Sequence, residues 1–178
     1  MSDAPDSPVL ILYMATTLDG KISGDAGDVD WCFTDQDYGF TDFVASIDAI
    51  LMGGRSYDQV LSFGEWPWSD LPVYVYSRRD RKAPAPSVQF VKDSPANIMA
   101  TLPPAVKRIW LFGGAELNTE CFAAGLVDEV VVAVHPVILG RGIPLANDLP
   151  KTVQLEYESH QAYDSGLVMT HYRVRKRD

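Results

Sequence analysis

The sequence predicts an α/β fold of three layers, in which a central, mostly parallel sheet lies between helices and ends in an antiparallel hairpin. Near-continuous apolar runs, such as residues 9–15 and 130–134, are typical of strands buried on both faces. Amphipathic segments separate these runs, as in sheets whose strands are joined by helices. Residues 153–163 and 167–174 alternate apolar and polar residues around a turn at 164–166, which predicts the hairpin.

Composition excludes several classes of protein. The 178 residues are 47% apolar and 22% charged, which fits one globular domain with a sizeable core. The net charge of −9 argues against nucleic acid or an anionic membrane surface as partner. Cys32 and Cys121 lie far apart in the sequence, and no apolar stretch reaches transmembrane length. We therefore expect a cytoplasmic, soluble protein with free thiols.

In the first part of the chain, a strand leads into a polar loop and then a helix. Residues 1–8 are small, polar and proline-containing, so we expect a flexible N-terminus followed by one domain over residues 9–178. Residues 17–31 are rich in Gly and Asp and predict a functional or mobile loop. A helix is predicted over residues 34–47, with Thr34 as its N-cap.

Two apolar runs each end in a pair of glycines that begins a helix. Residues 49–52 lead into Gly53-Gly54, and residues 108–112 lead into Gly113-Gly114. A glycine turn at this place lets a ligand approach the backbone, and the helix N-terminus offers free N–H groups to an anion. Such a turn can also serve only to pack a helix closely on a sheet. Two of them on neighbouring strands could hold the two halves of a dinucleotide.

The remaining elements add a basic cluster and a core-facing helix. The strand predicted over residues 73–76 is followed by basic residues within 77–82, which could bind a phosphate such as the 2′-phosphate of NADP or form a solvated turn. In the helix after the second glycine pair, Leu117, Cys121 and Ala124 form a stripe that is predicted to face the sheet. Cys121 is therefore predicted to be a core residue.

The sequence offers few groups for nucleophilic, metal or acid–base chemistry. No Gly-x-Ser-x-Gly, His-x-x-x-His or Cys-x-x-Cys pattern is present, and no metal site is predicted. Asp19 lies in a glycine-containing turn, and Asp35 and Asp37 lie in the first turn of the predicted helix, where they could serve only as capping charges. Hydride transfer fits such a chain, because a nicotinamide cofactor carries the chemistry while the protein orients it.

Several segments, taken together and in order, resemble the dihydrofolate reductase-like fold, and specifically the branch that contains the C-terminal reductase domain of riboflavin biosynthesis and its single-domain relatives. These segments are residues 17–22, 48–53 with Ser56 and Tyr57, 111–117, 125–129 and 136–145. The resemblance implies an NADPH-dependent reductase that acts on a pyrimidine- or pterin-like substrate, and a homodimer.

The resemblance also implies where the ligands bind. The residues beside the nicotinamide would be Ala15, Leu18 and Ile22. The residues that hold the phosphates would be Gly53, Gly54, Arg55, Ser56, Gly113, Gly114, Ala115, Glu116 and Leu117, with Ser77 and Arg78 near the adenosine phosphate. Phe112 would also bind the cofactor. The residues beside the substrate would be Asp19, Trp31, Asp37 and Gly140.

This chain departs from the family pattern in two places. Relatives usually carry Arg after the first glycine of the Met-Gly motif, whereas this chain has Gly54 followed by Arg55, which bears on cofactor affinity and preference. Dihydrofolate reductases place a carboxylate on the helix after the first loop to assist protonation of the pterin. Asp37 aligns approximately with it, Asp35 or a solvent water could serve instead, and Asp19 is a second candidate catalytic residue.

Three other functions stay open at this point. The chain could be a cofactor-binding module without catalysis, a true dihydrofolate reductase, or a flavin- or deazaflavin-dependent reductase. The first of these follows from Gly54 and from the lack of an evident proton donor.

Overall fold

The computed structural model describes residues 7–176. The flexible N-terminus expected over residues 1–8 therefore lies almost wholly outside the described residues. The strands are β1 (Val9–Thr17), β2 (Lys21–Ser23), β3 (Ala49–Gly53), β4 (Val73–Tyr76), β5 (Val88–Val91), β6 (Arg108–Gly113), β7 (Val127–His135), β8 (Ile143–Pro144), β9 (Leu155–Ala162) and β10 (Val168–Val174). The helices are α1 (Phe40–Ala45), α2 (Gly54–Ser62), α3 (Pro95–Thr101) and α4 (Ala115–Ala123).

Eight of these strands form one sheet, in the order β5-β4-β3-β6-β1-β7-β10-β9. The six strands from β5 to β7 are parallel to their neighbours, whereas β10 is antiparallel to β7 and β9 is antiparallel to β10. The predicted fold class is confirmed: the sheet is mostly parallel and ends in an antiparallel hairpin.

The central strands are buried on both faces because their residues alternate between two apolar cores. Leu10, Leu12 and Leu51 pack with Ile98 of α3 and Leu117 of α4 on one face. On the other face, the alternate positions Ile11, Ile50, Met52 and Trp110 pack with side chains that include Tyr57 of α2 and Phe43 of α1. This alternation explains why the strands appear in the sequence as nearly continuous apolar runs.

The helix predicted over residues 34–47 is wrong in length, since α1 covers only Phe40–Ala45. Thr34 is not its N-cap. Tyr38 and Gly39 precede the helix with φ values of 54° and 79°, in the left-handed region that a right-handed helix cannot include. The period of the apolar side chains matched a helix, but these two residues delay its start.

The stripe predicted on α4 is correct for two of its three residues. Leu117 and Cys121 are buried at 2% and 0% exposure, which confirms Cys121 as a core residue. Ala124 is exposed, because α4 ends at Ala123 and the chain turns out of the helix at Gly125, whose φ is +68°.

The polar loop after β1 is partly ordered as a strand. Within it, β2 pairs with β8 in a separate antiparallel two-stranded sheet. The N–H of Leu145 also donates to the carbonyl of Gly20 at 3.0 Å. The two long loops that follow β1 and β7 are thereby joined.

Candidate functional site

The predicted site residues lie where the parallel strands end. Gly53, Ser77 and Gly113 end or follow β3, β4 and β6, while Thr17 and His135 end β1 and β7. Because these strands are neighbours in one sheet, their carboxyl ends meet along one edge. Open parallel sheets bind ligands in the crevice at this edge.

The two glycine turns contact each other in space. A Cβ atom built on Gly53 would lie 3.3 Å from the carbonyl oxygen of Gly113, and one built on Gly114 would lie 3.5 Å from Ser56 Oγ and 3.9 Å from Ile22 Cδ1. The structure therefore brings together five of the residues expected to bind the cofactor. We call residues 53–56 with 113–117 the glycine-turn half of the site.

Helices α2 and α4 both begin in this half. The first intrahelical bond of α4 runs from the N–H of Asn118 to the carbonyl of Gly114 at 2.9 Å. The N–H groups of Ala115, Glu116 and Leu117 thus have no acceptor within the helix, and those of the first turn of α2 are in the same position. Two helix N-termini side by side favour an anion such as a diphosphate.

Several expected cofactor residues offer their backbone rather than their side chain. Leu117 points into the core at 2% exposure, and Phe112 packs edge-on against Trp68 with the ring centroids 5.5 Å apart. Arg55 is exposed, and its guanidinium is 3.4 Å from the carboxylate of Glu116. This exposed ion pair connects the first turns of α2 and α4.

The basic cluster after β4 presents its arginines in different directions. Arg78 is exposed and lies beside the hydroxyl of Tyr76, whose pKa is raised chiefly by burial. Arg81 instead turns back toward α2, donates to both carboxylate oxygens of Asp58, and donates to the hydroxyl of Ser77. The sequence predicted a phosphate-binding or solvated role for the basic cluster as a whole and did not single out Arg81.

The opposite half of the site consists of loops 18–31, 33–39 and 136–142, which we call the loop half. Asp19 accepts hydrogen bonds from Thr17 Oγ1 (2.6 Å), from the N–H of Gly140 (2.8 Å) and from the N–H of Leu139 (3.1 Å). The Thr17 hydroxyl, followed by these N–H groups, lowers the pKa of Asp19 to about 2. Asp19 thus joins two loops as a carboxylate and carries no proton at neutral pH.

The carboxylate of Asp37 is likewise engaged in hydrogen bonds to nearby groups. Its carboxylate accepts from the backbone N–H of Thr41 (3.1 Å) and from the Thr41 hydroxyl (2.7 Å), and the hydroxyl is the main cause of its lowered pKa. Asp35 accepts from the hydroxyl of Tyr38 at 2.7 Å. Asp37 therefore caps the first turn of α1 from two residues before the N-cap position, which Gly39 occupies.

The rest of the loop half is lined by aromatic residues around a buried histidine. His135, 3% exposed, accepts the N–H of Phe33 at Nε2 (3.2 Å), while its Nδ1 is 3.1 Å from the carbonyl of Ala133. These two contacts require the neutral tautomer with hydrogen on Nδ1. Trp31 meets the imidazole edge-on with the ring centroids 5.2 Å apart. Sequence reasoning did not find this role of His135 in holding the segment of Trp31.

The remaining expected residues lie near the carboxyl end of β1 or in the loops that follow β1 and β7. Ala15 lies in β1 beside Ala133 of β7, and Leu18 directly follows β1 and is 65% exposed. Burial raises the pKa of Tyr13, two residues before Ala15, to about 12. Gly140 has a φ of +74° and donates its N–H to Asp19.

The described residues provide no metal cluster and no membrane helix. Within residues 7–176, His, Cys, Asp and Glu side chains do not gather in groups of three that could hold a metal ion. None of the helices in this range has the length and apolar character needed to cross a bilayer.

The arrangement fits a dinucleotide. At Gly53, a Cβ would approach the backbone of the other turn, and at Gly114 it would enter the space beside Ser56 and Ile22. Glycine at these positions leaves room for a ligand to reach two sets of N–H groups. The fold and the paired turns define the class of protein, an α/β protein of the dihydrofolate reductase-like superfamily.

Comparison with known proteins identifies the family. The RibD C-terminal domain family matches residues 8–169, so the chain belongs to this family. Its relatives include the Bacillus subtilis (strain 168) proteins "Uncharacterized protein YyaP", 37% identical over 92% of this chain and 93% of that protein, and "Uncharacterized protein YwjB", 29% identical over 91% and 95%. The family supports a reductase-like role.

Solved structures agree with this assignment. The "Putative riboflavin biosynthesis protein" from Shewanella sp. PV-4 superposes with a TM-score of 0.85 at 28% identity, covering 94% of this chain and 99% of that one. The Thermotoga maritima diaminohydroxyphosphoribosylaminopyrimidine deaminase/5-amino-6-(5-phosphoribosylamino)uracil reductase superposes with a TM-score of 0.74 at 18% identity, covering 95% of this chain and 57% of that one. The second similarity concerns the fold alone.

Proposed function

We propose that this protein is an NADPH-dependent reductase of a small heterocyclic substrate, pyrimidine- or pterin-like. The observation that carries the proposal is the contact between the two glycine turns, which sets two helix N-termini side by side at the sheet edge. Membership in the RibD C-terminal domain family supports the same proposed function.

Each half of the site has its own task in this proposal. Backbone N–H groups of residues 54–56 and 115–117, with the hydroxyl of Ser56, would hold the diphosphate, and Ala15, Leu18 and Ile22 would border the nicotinamide. Bound NADPH supplies the hydride. The aromatic residues Trp31 and Tyr13 would exclude water from the substrate side.

The proton would come from solvent water in this proposal. Asp19 and Asp37 both have a lowered pKa and both accept hydrogen bonds from backbone N–H groups, so neither holds a proton at neutral pH. Their contribution is to order the loops around the substrate.

Titration with NADPH and NADH, followed by nicotinamide fluorescence, tests cofactor binding. We expect saturable binding of NADPH by the wild-type protein. Gly114→Ala places a methyl group beside Ser56 in ordinary contact distance, so it should weaken NADPH binding by about tenfold or more by blocking hydrogen bonds to the phosphates, with an unchanged melting temperature. A wild-type protein that binds neither nucleotide would contradict the proposal.

A cofactor-binding module without catalysis is the second candidate, favoured by the occupied carboxylates of Asp19 and Asp37. Oxidation of NADPH in the presence of pterin, pyrimidine and quinone acceptors distinguishes the two. Turnover of an acceptor supports the reductase, and turnover of dihydrofolate in particular identifies a true dihydrofolate reductase. Intact NADPH binding without turnover of any acceptor supports the module.

We also propose a cytoplasmic homodimer that pairs through β9. This strand forms one edge of the sheet, and all eight of its residues are exposed, including Leu155 and Tyr157. A long exposed edge strand is a template for pairing with another chain. Light scattering should give twice the chain mass for the wild type and a smaller mass for Tyr157→Lys, and a monomeric wild type would refute the dimer.

A further inference from the structure

One guanidinium group, that of Arg81, is fixed beside the first turn of α2. Its Nε and Nη2 donate to the two carboxylate oxygens of Asp58 at 2.8 and 2.7 Å, and its Nη1 donates to Ser77 Oγ. The Arg81 side chain is 12% exposed, whereas that of Asp58 is 53% exposed. The loop that carries Arg81 is itself anchored, since the hydroxyl of Tyr57 donates to the carbonyl of Lys82 at 2.6 Å.

The position of this guanidinium depends on the glycine at position 54. A Cβ on Gly54 would lie 3.0 Å from Cζ, Nη1 and Nη2 of Arg81. A Cβ at position 54 would therefore require the Arg81 guanidinium to move by a few tenths of an ångström. Because Gly54 has no side chain, the loop after β4 can place the Arg81 guanidinium against the first turn of α2.

We propose that Arg81 recognises a phosphate monoester on the ribose of the adenosine half of the dinucleotide. This inference rests on the proposed function, and it makes Arg81 the residue that distinguishes NADPH from NADH. Arg55 is unsuited to the task because its side chain is 86% exposed and paired with Glu116.

The guanidinium retains donors for such a ligand. Arginine has five N–H groups, and the bonds to Asp58 and Ser77 use three of them, so one on Nη1 and one on Nη2 remain for two phosphate oxygens. The bonds to Asp58 and Ser77 fix the orientation of the fork before a ligand binds, which lowers the entropic cost of binding. The carboxylate of Asp58 lies close by and offsets part of the charge of Arg81.

Calorimetry with adenosine 2′,5′-bisphosphate, ADP and 5′-AMP tests the proposal without turnover. Arg81→Gln should raise the Kd for the 2′,5′-bisphosphate by about tenfold to 100-fold, because a charge-assisted hydrogen bond is lost, and should leave the Kd for ADP and for 5′-AMP unchanged. Gly54→Ala should act in the same direction, because its methyl group displaces the guanidinium while alanine suits the first turn of a helix.

Two further variants separate recognition from loss of structure. Asp58→Asn removes the neighbouring negative charge and keeps Arg81, so it should not raise the Kd for the 2′,5′-bisphosphate. Lys92→Gln removes a positive charge from an exposed side chain paired with Asp80 at 3.3 Å, and it should leave all three ligands unaffected. If the Arg81 and Asp58 pair only maintains the local structure, both Arg81→Gln and Asp58→Asn should instead raise the Kd for all three ligands.

The remaining outcomes overturn the inference in distinguishable ways. If Arg81→Gln keeps the preference for the 2′,5′-bisphosphate, Arg81 is not the selective residue, although NADPH binding still stands. The same conclusion follows if the preference is lost in Arg78→Gln but not in Arg81→Gln. A selective loss of ADP affinity assigns Arg81 to the diphosphate. A wild-type protein that binds neither NADPH nor the 2′,5′-bisphosphate overturns this inference and the proposed function together.

Discussion

The two halves of the site use their polar groups in opposite ways. In the glycine-turn half, helix geometry leaves backbone N–H groups without intrahelical acceptors, and the glycines keep the space in front of them open. In the loop half, the carboxylate of Asp19 already accepts backbone N–H groups of the loop after β7, and that of Asp37 accepts the N–H of Thr41 in α1. One half leaves backbone donors without intrahelical partners, and the other uses its own charges to keep its loops in place.

The two halves are connected through α4. Asn118, fully buried in this helix, donates from Nδ2 to the carbonyl of Leu145 at 2.7 Å, and the N–H of the same leucine donates to the carbonyl of Gly20. Gly113 lies against this asparagine. A disturbance at the glycine turn should therefore also reach the loops on the other side.

Gly113→Ala should have the largest effect. Gly113 has a φ of +92°, and a Cβ there would lie 2.6 Å from Met14 Cε and 3.0 Å from Asn118 Oδ1. The flexible end of Met14 can move, but Asn118 is held by its bond to Leu145. We expect losses in the free energy of unfolding of about 1–2 kcal/mol from the backbone and about 1–3 kcal/mol from overpacking.

Gly125→Ala is the matched control for this substitution. Gly125 has a φ of +68°, and a Cβ there would meet no atom within 4 Å, so only the backbone cost of about 1–2 kcal/mol applies. Urea unfolding of both variants gives the comparison. Equal losses would show that the space around Gly113 is not restricted and that its turn is not coupled to Asn118.

Asn118→Ala should have the next largest effect, because it cuts the connection between the halves. Removing the amide leaves the carbonyl of Leu145 without its donor, which should cost about 1–3 kcal/mol. Thr119→Val is the matched control, since Thr119 Oγ1 accepts the N–H of Asn147 at 2.8 Å from a less buried position and should cost about 0.5–1.5 kcal/mol. Hydrogen exchange at Leu145 should accelerate in Asn118→Ala, and unchanged exchange there would refute the connection.

The same division explains what the sequence could predict. The glycine turns and their strands depend on local backbone chemistry and on apolar alternation, so the sequence could predict that Gly53, Ser56, Gly113 and Gly114 lie together, and they are adjacent in the structure. Arg81 could not be selected among its neighbouring arginines, because its direction depends on Asp58, which is 23 positions away.

The loop half was less predictable because its contacts are long-range. The bond between Asp19 and Gly140 spans 121 positions, and that between Phe33 and His135 spans 102. No periodicity in the sequence reports such pairs. The error at the start of α1 has a local cause, since Tyr38 adopts a positive φ that sequence pattern does not indicate for tyrosine.

Acid titration should separate the loop half from the rest of the fold. The pKa of Asp19 in the folded protein, about 2, is below its ordinary value of 3.8, so its stabilising contribution is complete above pH 3.8 and is lost as the pH falls through 2. The NMR shift of the Gly140 amide should therefore titrate with a midpoint near 2. A midpoint near 3.8 would show that the Thr17 hydroxyl and the two N–H groups do not hold the carboxylate.

Substitution of Asp37 should have the smallest effect on stability and decides whether this carboxylate acts as a cap or on the substrate. Asparagine is as good an N-terminal cap as aspartate, whereas alanine removes the acceptor for Thr41. If Asp37 only caps α1, Asp37→Ala should lower the melting temperature slightly and reduce turnover, and Asp37→Asn should restore both. Asp37→Asn could instead keep the melting temperature and the NADPH affinity but lose turnover as fully as Asp37→Ala. The negative charge of Asp37 would then act on the substrate, and the contrast between the two halves would not hold at this residue.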